Sequence, residues 1–341
     1  MSTNLNDAAD NAAPPQTTGP VQTWIDPGMT TALAEASLAA YNDFENLPFT
    51  APAGFRTYGR FTGWDDWFWT LGRVEKFGLI FQSLVLPTRF IVAFRGTDSD
   101  SDALAEAFFY YSTFQSYLNA PSRLVDDVSV GFNGIYSTKG STMTQTMQQQ
   151  VFNMLQAGRM TEVYITGHSL GGALSQLFTL DLRVSFPNVK VRTINFASPR
   201  VGGRHWAEAC DSASVPQLMT RVINYWDLVP DFPVTIDIFD QYRSVGPEFR
   251  TSFYGSGSIL TDELPRHRLL NLQLVLKNCL PRNPQIWIGR FADAVNQSYI
   301  MNSTAPPTAS KDEMLSKLRE LQEVERSIRA ETGGTEPSPQ S

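Results

Sequence analysis

Apolar positions along the chain gather into short β-branched and aromatic runs separated by longer stretches of helical spacing. The runs FGLIFQSLVL (77–86), RFIVAF (89–94), EVYITG (162–167), VRTINFAS (191–198) and TRVINYW (220–226) read as strands. Between and before them, MTTALAEASLAAY within 27–43, a Gln- and Met-rich stretch at 141–158 and the segment from about Leu170 to Phe186 carry helical composition and spacing. Strands alternating with helical spans predict an α/β fold with a mainly parallel sheet covered by helices on both faces.

The ends differ from this middle. Residues 1–22 are polar and rich in Pro and Ala, the composition of a disordered arm. Residues 23–305 read as one domain. Past Pro306 the composition shifts, and KDEMLSKLRELQEVERSIRAE (311–331) forms a helix with Met314, Leu321, Val324 and Ile328 near heptad spacing. Such a stripe docks on its own domain or, in the sharper reading, makes a coiled-coil contact. A disordered tail completes the 306–341 extension. The segment GWDDWFWT concentrates Trp64, Trp67 and Trp69, an aromatic density expected in a core.

Composition narrows the function classes. The chain has 341 residues, 42% hydrophobic and 18% charged, enough for one sizeable core. A net charge of −7 without any basic block gives no support for nucleic-acid binding. Cys210 and Cys279 cannot form a disulfide framework and are expected as buried thiols. The opening MSTNLNDAADNAAPPQTTGP lacks both a positive n-region and an apolar h-region, so a cytoplasmic chain is expected, with secretion by a non-Sec route as the alternative. No window approaches the run of 18 apolar residues that a transmembrane helix needs.

The chemistry concentrates at VYITGHSLGG (163–172), where a strand breaks into Gly-X-Ser-X-Gly. That pattern makes the sharp strand-to-helix turn known as a nucleophile elbow, which lifts the Ser169 hydroxyl clear of the backbone and aims a helix N-terminus at it. Alone, the three small residues recur by chance in roughly one chain of this length in ten, so context must decide. A serine nucleophile needs a base, itself oriented by a carboxylate. Of the three histidines, His168 lies inside the elbow and His205 precedes every candidate acid. Only His267, in DELPRHRLL, satisfies the order serine, acid, histidine. Asp227 follows a strand two strands after the elbow and is the expected acid, with Asp231, four residues further out, as its competitor. Two donors are needed for a developing oxyanion. The backbone N–H of Leu170 supplies one, and Thr97 in IVAFRGTDS, preceded by the permissive Gly96, supplies the other through its N–H and hydroxyl.

Taken together, FRGTDS (94–99), VSVGF (128–132), VYITGHSLGGALSQL (163–177), FASPRVGG (196–203) and NYWDLVPDFP (224–233) resemble, in order, the blocks of the class 3 lipase family, over roughly residues 30–275. The resemblance implies an α/β-hydrolase fold with Ser169, Asp227 and His267 as triad, Thr97 and Leu170 as oxyanion donors, and no metal or cofactor. It implies a carboxylic-ester hydrolase for acylglycerols or related lipids, with a phospholipase A1, a feruloyl esterase or an acyltransferase using the same atoms. A catalytically silent hydrolase-fold binding module is the alternative of another class. The family usually has a histidine where Ser129 stands. It commonly forms a lid after the oxyanion loop, here roughly 100–118, where FFYYSTFQSYL would cover an acyl pocket and open at a lipid–water interface.

Overall fold

The computed structural model describes residues 26–302, apart from 66–71, 98–110, 119–124, 225–226, 234–241, 252, 256–265, 280–289 and 293–298. In chain order the elements are α1 (Pro27–Phe44), β1 (Phe55–Asp65), β2 (Arg73–Ser83), β3 (Arg89–Phe94), β4 (Tyr111–Ser112), β5 (Val128–Ser129), α2 (Val130–Ser137) and α3 (Met147–Ala157). They continue with β6 (Glu162–Gly167), α4 (Leu170–Ser185), β7 (Lys190–Phe196), α5 (Arg204–Ser212), α6 (Val215–Leu218), β8 (Met219–Asn224), β9 (Glu248–Thr251) and α7 (Leu269–Cys279). Phe253–Gly255, Arg290–Ala292 and Tyr299–Asn302 make a separate small antiparallel sheet.

Seven strands form one sheet in the order β1-β2-β3-β6-β7-β8-β9. The first two pairings are antiparallel, and the four from β3 to β9 are parallel. The strand period of two sorts side chains between two cores. Phe90, Val92 and Phe94 of β3 join Ile165, Leu174, Phe178, Phe132 and Phe152 beneath α2, α3 and α4. Ile91 and Ala93 join Phe196, Leu33, Ala36, Leu272 and Leu276 beneath α1 and α7. Helices therefore cover both faces, as the alternation of runs predicts.

Local chemistry sets the helix starts. Asp26 accepts the Met29 N–H at 2.6 Å and Pro27 opens the first turn of α1, where its missing N–H costs nothing. Thr146 and Gln149 form a reciprocal capping box at α3.

The strand β1 is not visible as an apolar run. Most of its length is polar or half-exposed at the sheet edge, and Trp64 at its end is half-buried rather than core. Trp67 and Trp69 lie outside the described residues, as do the N-terminal arm, the 311–331 helix and the tail. Cys210 is a buried free thiol, and burial pushes its pKa well above the ordinary thiol value. No described helix is long and apolar enough to cross a membrane.

Of the expected lid at 100–118, residues 100–110 lie outside the described residues. The remainder is docked. Tyr111–Ser112 pairs with Val128–Ser129, Phe114 meets Trp206 edge-on, and Tyr117 stacks on Phe152 at 4.4 Å. Phe114 is thus buried in the core and Tyr117 packs half-buried against it.

Candidate active site

At the C-terminal end of β6 the chain turns into α4 through His168 and Ser169. Ser169 has φ 56° and ψ −126°, a conformation that residues with a side chain rarely adopt. Its backbone N–H donates to the Phe196 carbonyl at 3.0 Å, which ties the turn to β7. Its side chain makes no cap bond to its own helix, so the hydroxyl is not spent on capping. The strain is tolerated because strand and helix approach closely. A Cβ on Gly167 would lie 2.1 Å from the Gly171 carbonyl oxygen. The expected elbow is present in shape, and Leu170 opens the helix with the first of its uncommitted N–H positions.

The loop after β3, expected to supply an oxyanion donor, lies against this turn. A Cβ built on Gly96 would fall 3.1 Å from the Ser169 Cβ and 2.6 Å from the His168 carbonyl oxygen. Arg95, buried between the rings of Phe44 and Phe77, holds the loop from behind. Its guanidinium donates to the carbonyls of Lys76 and Gly96 and pairs with Glu75. Thr97 follows, and its Oγ1 is shut from solvent with no hydrogen-bond partner among the described residues. A buried hydroxyl left in this way carries a cost unless something else completes it.

Asp227 and His267 meet from separate elements. Asp227 follows β8 and is fully buried, whereas His267 sits just before α7. The imidazole Nδ1–H donates to Asp227 Oδ2 at 2.8 Å, and the other carboxylate oxygen accepts the Val229 N–H at 3.0 Å. The ring of His267 lies 4.6 Å from that of His168, which brings the pair to the elbow. The competing acid is elsewhere engaged: Asp231 faces Arg200 at 3.6 Å.

His205 belongs to a different cluster. Its Nδ1 lies 2.6 Å from Asp126, while both oxygens of Asp127 accept N–H groups from the first turn of α5. Although Asp126, Asp127 and His205 are close enough to share a cation, this arrangement is a helix cap with an exposed ion pair beside it. Ser129 is fully buried, with its N–H bonded to the Val201 carbonyl, so this position supports the β5–α2 junction.

Two residues that the sequence reading leaves aside also converge here. His168 is buried between Tyr41, whose hydroxyl lies 2.8 Å from Nδ1, and the main-chain carbonyl of His267, 2.7 Å from Nε2. Burial, reinforced by the positive potential of His267, holds the His168 pKa well below the ordinary histidine value. No spacing rule could reveal Tyr41, because it reaches the site from α1, 127 residues away in sequence.

The chain is similar to known lipases. Residues 91–236 match the family model described as Lipase (class 3). A lipase of Rhizopus niveus is 30% identical over 161 residues, covering 46% of this chain and 37% of that protein. The chloroplastic phospholipase A(1) DAD1 of Arabidopsis thaliana is 28% identical over 109 residues, covering 31% of this chain and 24% of that protein. The chain thus spans well under half the length of these curated relatives. A lipase structure from Rhizopus microsporus var. chinensis superposes with a TM-score of 0.49 at 22% identity, covering 73% of this chain and 84% of that one.

Proposed function

We propose, from the match of residues 91–236 to the class 3 lipase family model, that this chain is a serine carboxylic-ester hydrolase acting on lipid esters. The observation that carries the reading is the pair of buried Asp227 and part-buried His267, brought by the His168 ring contact to a serine held in an elbow conformation. In this mechanism Ser169 Oγ attacks the ester carbonyl and Nε2 of His267 takes its proton. Asp227 keeps the His267 proton on Nδ1 and stabilises the imidazolium that forms. The oxyanion of the tetrahedral intermediate is held by the N–H of Leu170 and by the N–H and hydroxyl of Thr97. The alcohol leaves with the proton from His267. Water, activated by the same imidazole, then releases the acid from the acyl-enzyme.

Acylglycerols are the first substrate class and phospholipids the second, the latter because a phospholipase A(1) stands among the similar proteins. The aromatic run Phe108, Phe109 and Tyr110, just before β4, supports a cover over the acyl pocket that turns toward a lipid–water interface. The deciding experiment is labelling with a fluorophosphonate, followed by a panel of tri-, di- and monoacylglycerol and phospholipid. An adduct on Ser169, lost in Ser169→Ala, is expected. A folded protein without that adduct would leave the hydrolase-fold binding module as the correct reading. A rise in ester turnover when a short-chain substrate passes its aggregation point is expected of the cover, and a flat response would remove it.

A further inference from the structure

Resting on the hydrolase reading, we propose that Tyr41 and His168 are a positioning pair for the reaction: Tyr41 fixes His168 as the Nε2–H tautomer, which holds the main chain of the base His267 in place.

A neutral imidazole has one donor and one acceptor. The His267 carbonyl oxygen, 2.7 Å from His168 Nε2, can only accept, so the proton is on Nε2. Nδ1 therefore presents its lone pair, and the Tyr41 hydroxyl at 2.8 Å donates to it. The bonds run in one direction, from tyrosine to elbow histidine to the carbonyl of the base. Nothing in that chain tolerates the other tautomer, which would set a lone pair against a carbonyl oxygen. Burial keeps His168 uncharged. That matters because its ring lies 4.6 Å from the ring that becomes an imidazolium during turnover. A charged neighbour there would oppose the proton transfer.

The preceding peptide is held as well, since Asn224 Nδ2 donates to the Arg266 carbonyl at 3.1 Å. Two successive carbonyls before and at the base are thus pinned from two different strand ends, while Asp227 fixes the ring itself. His267 sits on a connecting segment rather than inside a long element, so its precision must come from such ties. A displacement of about 1 Å at a catalytic group costs on the order of 10²-fold in rate. Gly96 belongs to the same device, because a Cβ there would lie 2.1 Å from the Tyr41 hydroxyl. The glycine of the oxyanion loop leaves the space in which the tyrosine reaches His168.

The test combines ring-nitrogen NMR of ¹⁵N-histidine-labelled protein with turnover of a soluble p-nitrophenyl ester. With three histidines in the chain the spectrum is tractable. His168 should show a protonated Nε2 and an unprotonated Nδ1, and a proton on Nδ1 would overturn the proposal. Tyr41→Phe should lower kcat about tenfold with KM nearly unchanged. His168→Leu, which has no donor, should lose about 100-fold in kcat, and His168→Gln, whose amide can still reach the carbonyl, should recover about tenfold of that. Equal kcat in the Leu and Gln variants, or a loss confined to KM, would reduce the pair to packing. Ser169 labelling of the unmutated protein in the same series separates the two questions. No adduct there rejects the hydrolase reading, while the ring-nitrogen assignment still decides whether Tyr41 fixes the tautomer.

Discussion

His267 Nδ1 donates to Oδ2 of Asp227 across 2.8 Å, although the two residues stand 40 positions apart and Asp227 has no exposed surface. In the proposed reaction a carboxylate in that position does two things: it selects the tautomer with a free Nε2, and it offsets the charge that the ring would acquire. Asp227→Asn preserves the shape and removes both. The amide can donate to the ring, which moves the proton to Nε2. Ester turnover should fall by about 10⁴-fold in kcat. Turnover of Asp227→Asn within about tenfold of the original would show that another group orients the base.

Thr97 offers a test in which activity and stability move in opposite directions. Its Oγ1 is buried without a partner among the described residues, which fits the proposed role as an oxyanion donor. Thr97→Val keeps the shape and deletes the hydroxyl. kcat should drop about 10²-fold, with little change in KM. Thermal stability should hold or rise, by up to about 1 kcal/mol, because an unsatisfied polar group is replaced by a methyl. A variant that is both fully active and less stable would show a hydroxyl with a structural role instead.

Gly96 should not accept even one methyl group. A Cβ would meet the His168 carbonyl oxygen at 2.6 Å and the Tyr41 hydroxyl at 2.1 Å, and the first of these is backbone that cannot swing aside. Gly96→Ala should therefore lower kcat at least tenfold by shifting the oxyanion loop or the elbow, with a fall in melting temperature. Wild-type turnover in this variant would mean that the loop has room to adjust.

How far the sequence could be read follows from what each feature depends on. EVYITG at 162–167 and the helix after Ser169 are legible because local spacing alone determines them. The edge strand β1 escapes because Gly59 and Gly63 stand where side chains would have marked the alternation. There the side chains of Met154 and of Met147 and Phe77 occupy the space. Asp227 and His267 can be reached from chain order, since so few histidines compete. Tyr41 cannot, because its meeting with His168 depends on how α1 lies across the sheet. Aromatic residues at 111–118 look alike in sequence whether they cover a pocket or fill a core, and here Phe114 is buried while Tyr117 packs half-buried beside it.

Asp181 sets burial against hydrogen bonding, and pH decides which dominates. It lies in α4 and accepts four donors: the Tyr117 N–H at 2.7 Å, the Ser185 hydroxyl at 3.0 Å, the Tyr136 hydroxyl at 2.8 Å and the Gln148 amide at 2.5 Å. Those donors favour the carboxylate, but burial raises its pKa from 3.8 to about 6. With the folded value above the unfolded one, the native state holds the proton more tightly. The stabilisation is complete below about 3.8 and is lost as pH rises through about 6. The difference corresponds to about 3 kcal/mol. Asp181→Asn does not titrate in this range, although its amide group must face two of the donors and will lower stability at every pH. Urea unfolding at pH 4, 5, 6 and 7 should therefore show the stability gap between the original protein and Asp181→Asn shrinking by about that amount as pH rises. A gap that widens instead would mean that the four donors outweigh burial and that the carboxyl titrates below its ordinary value.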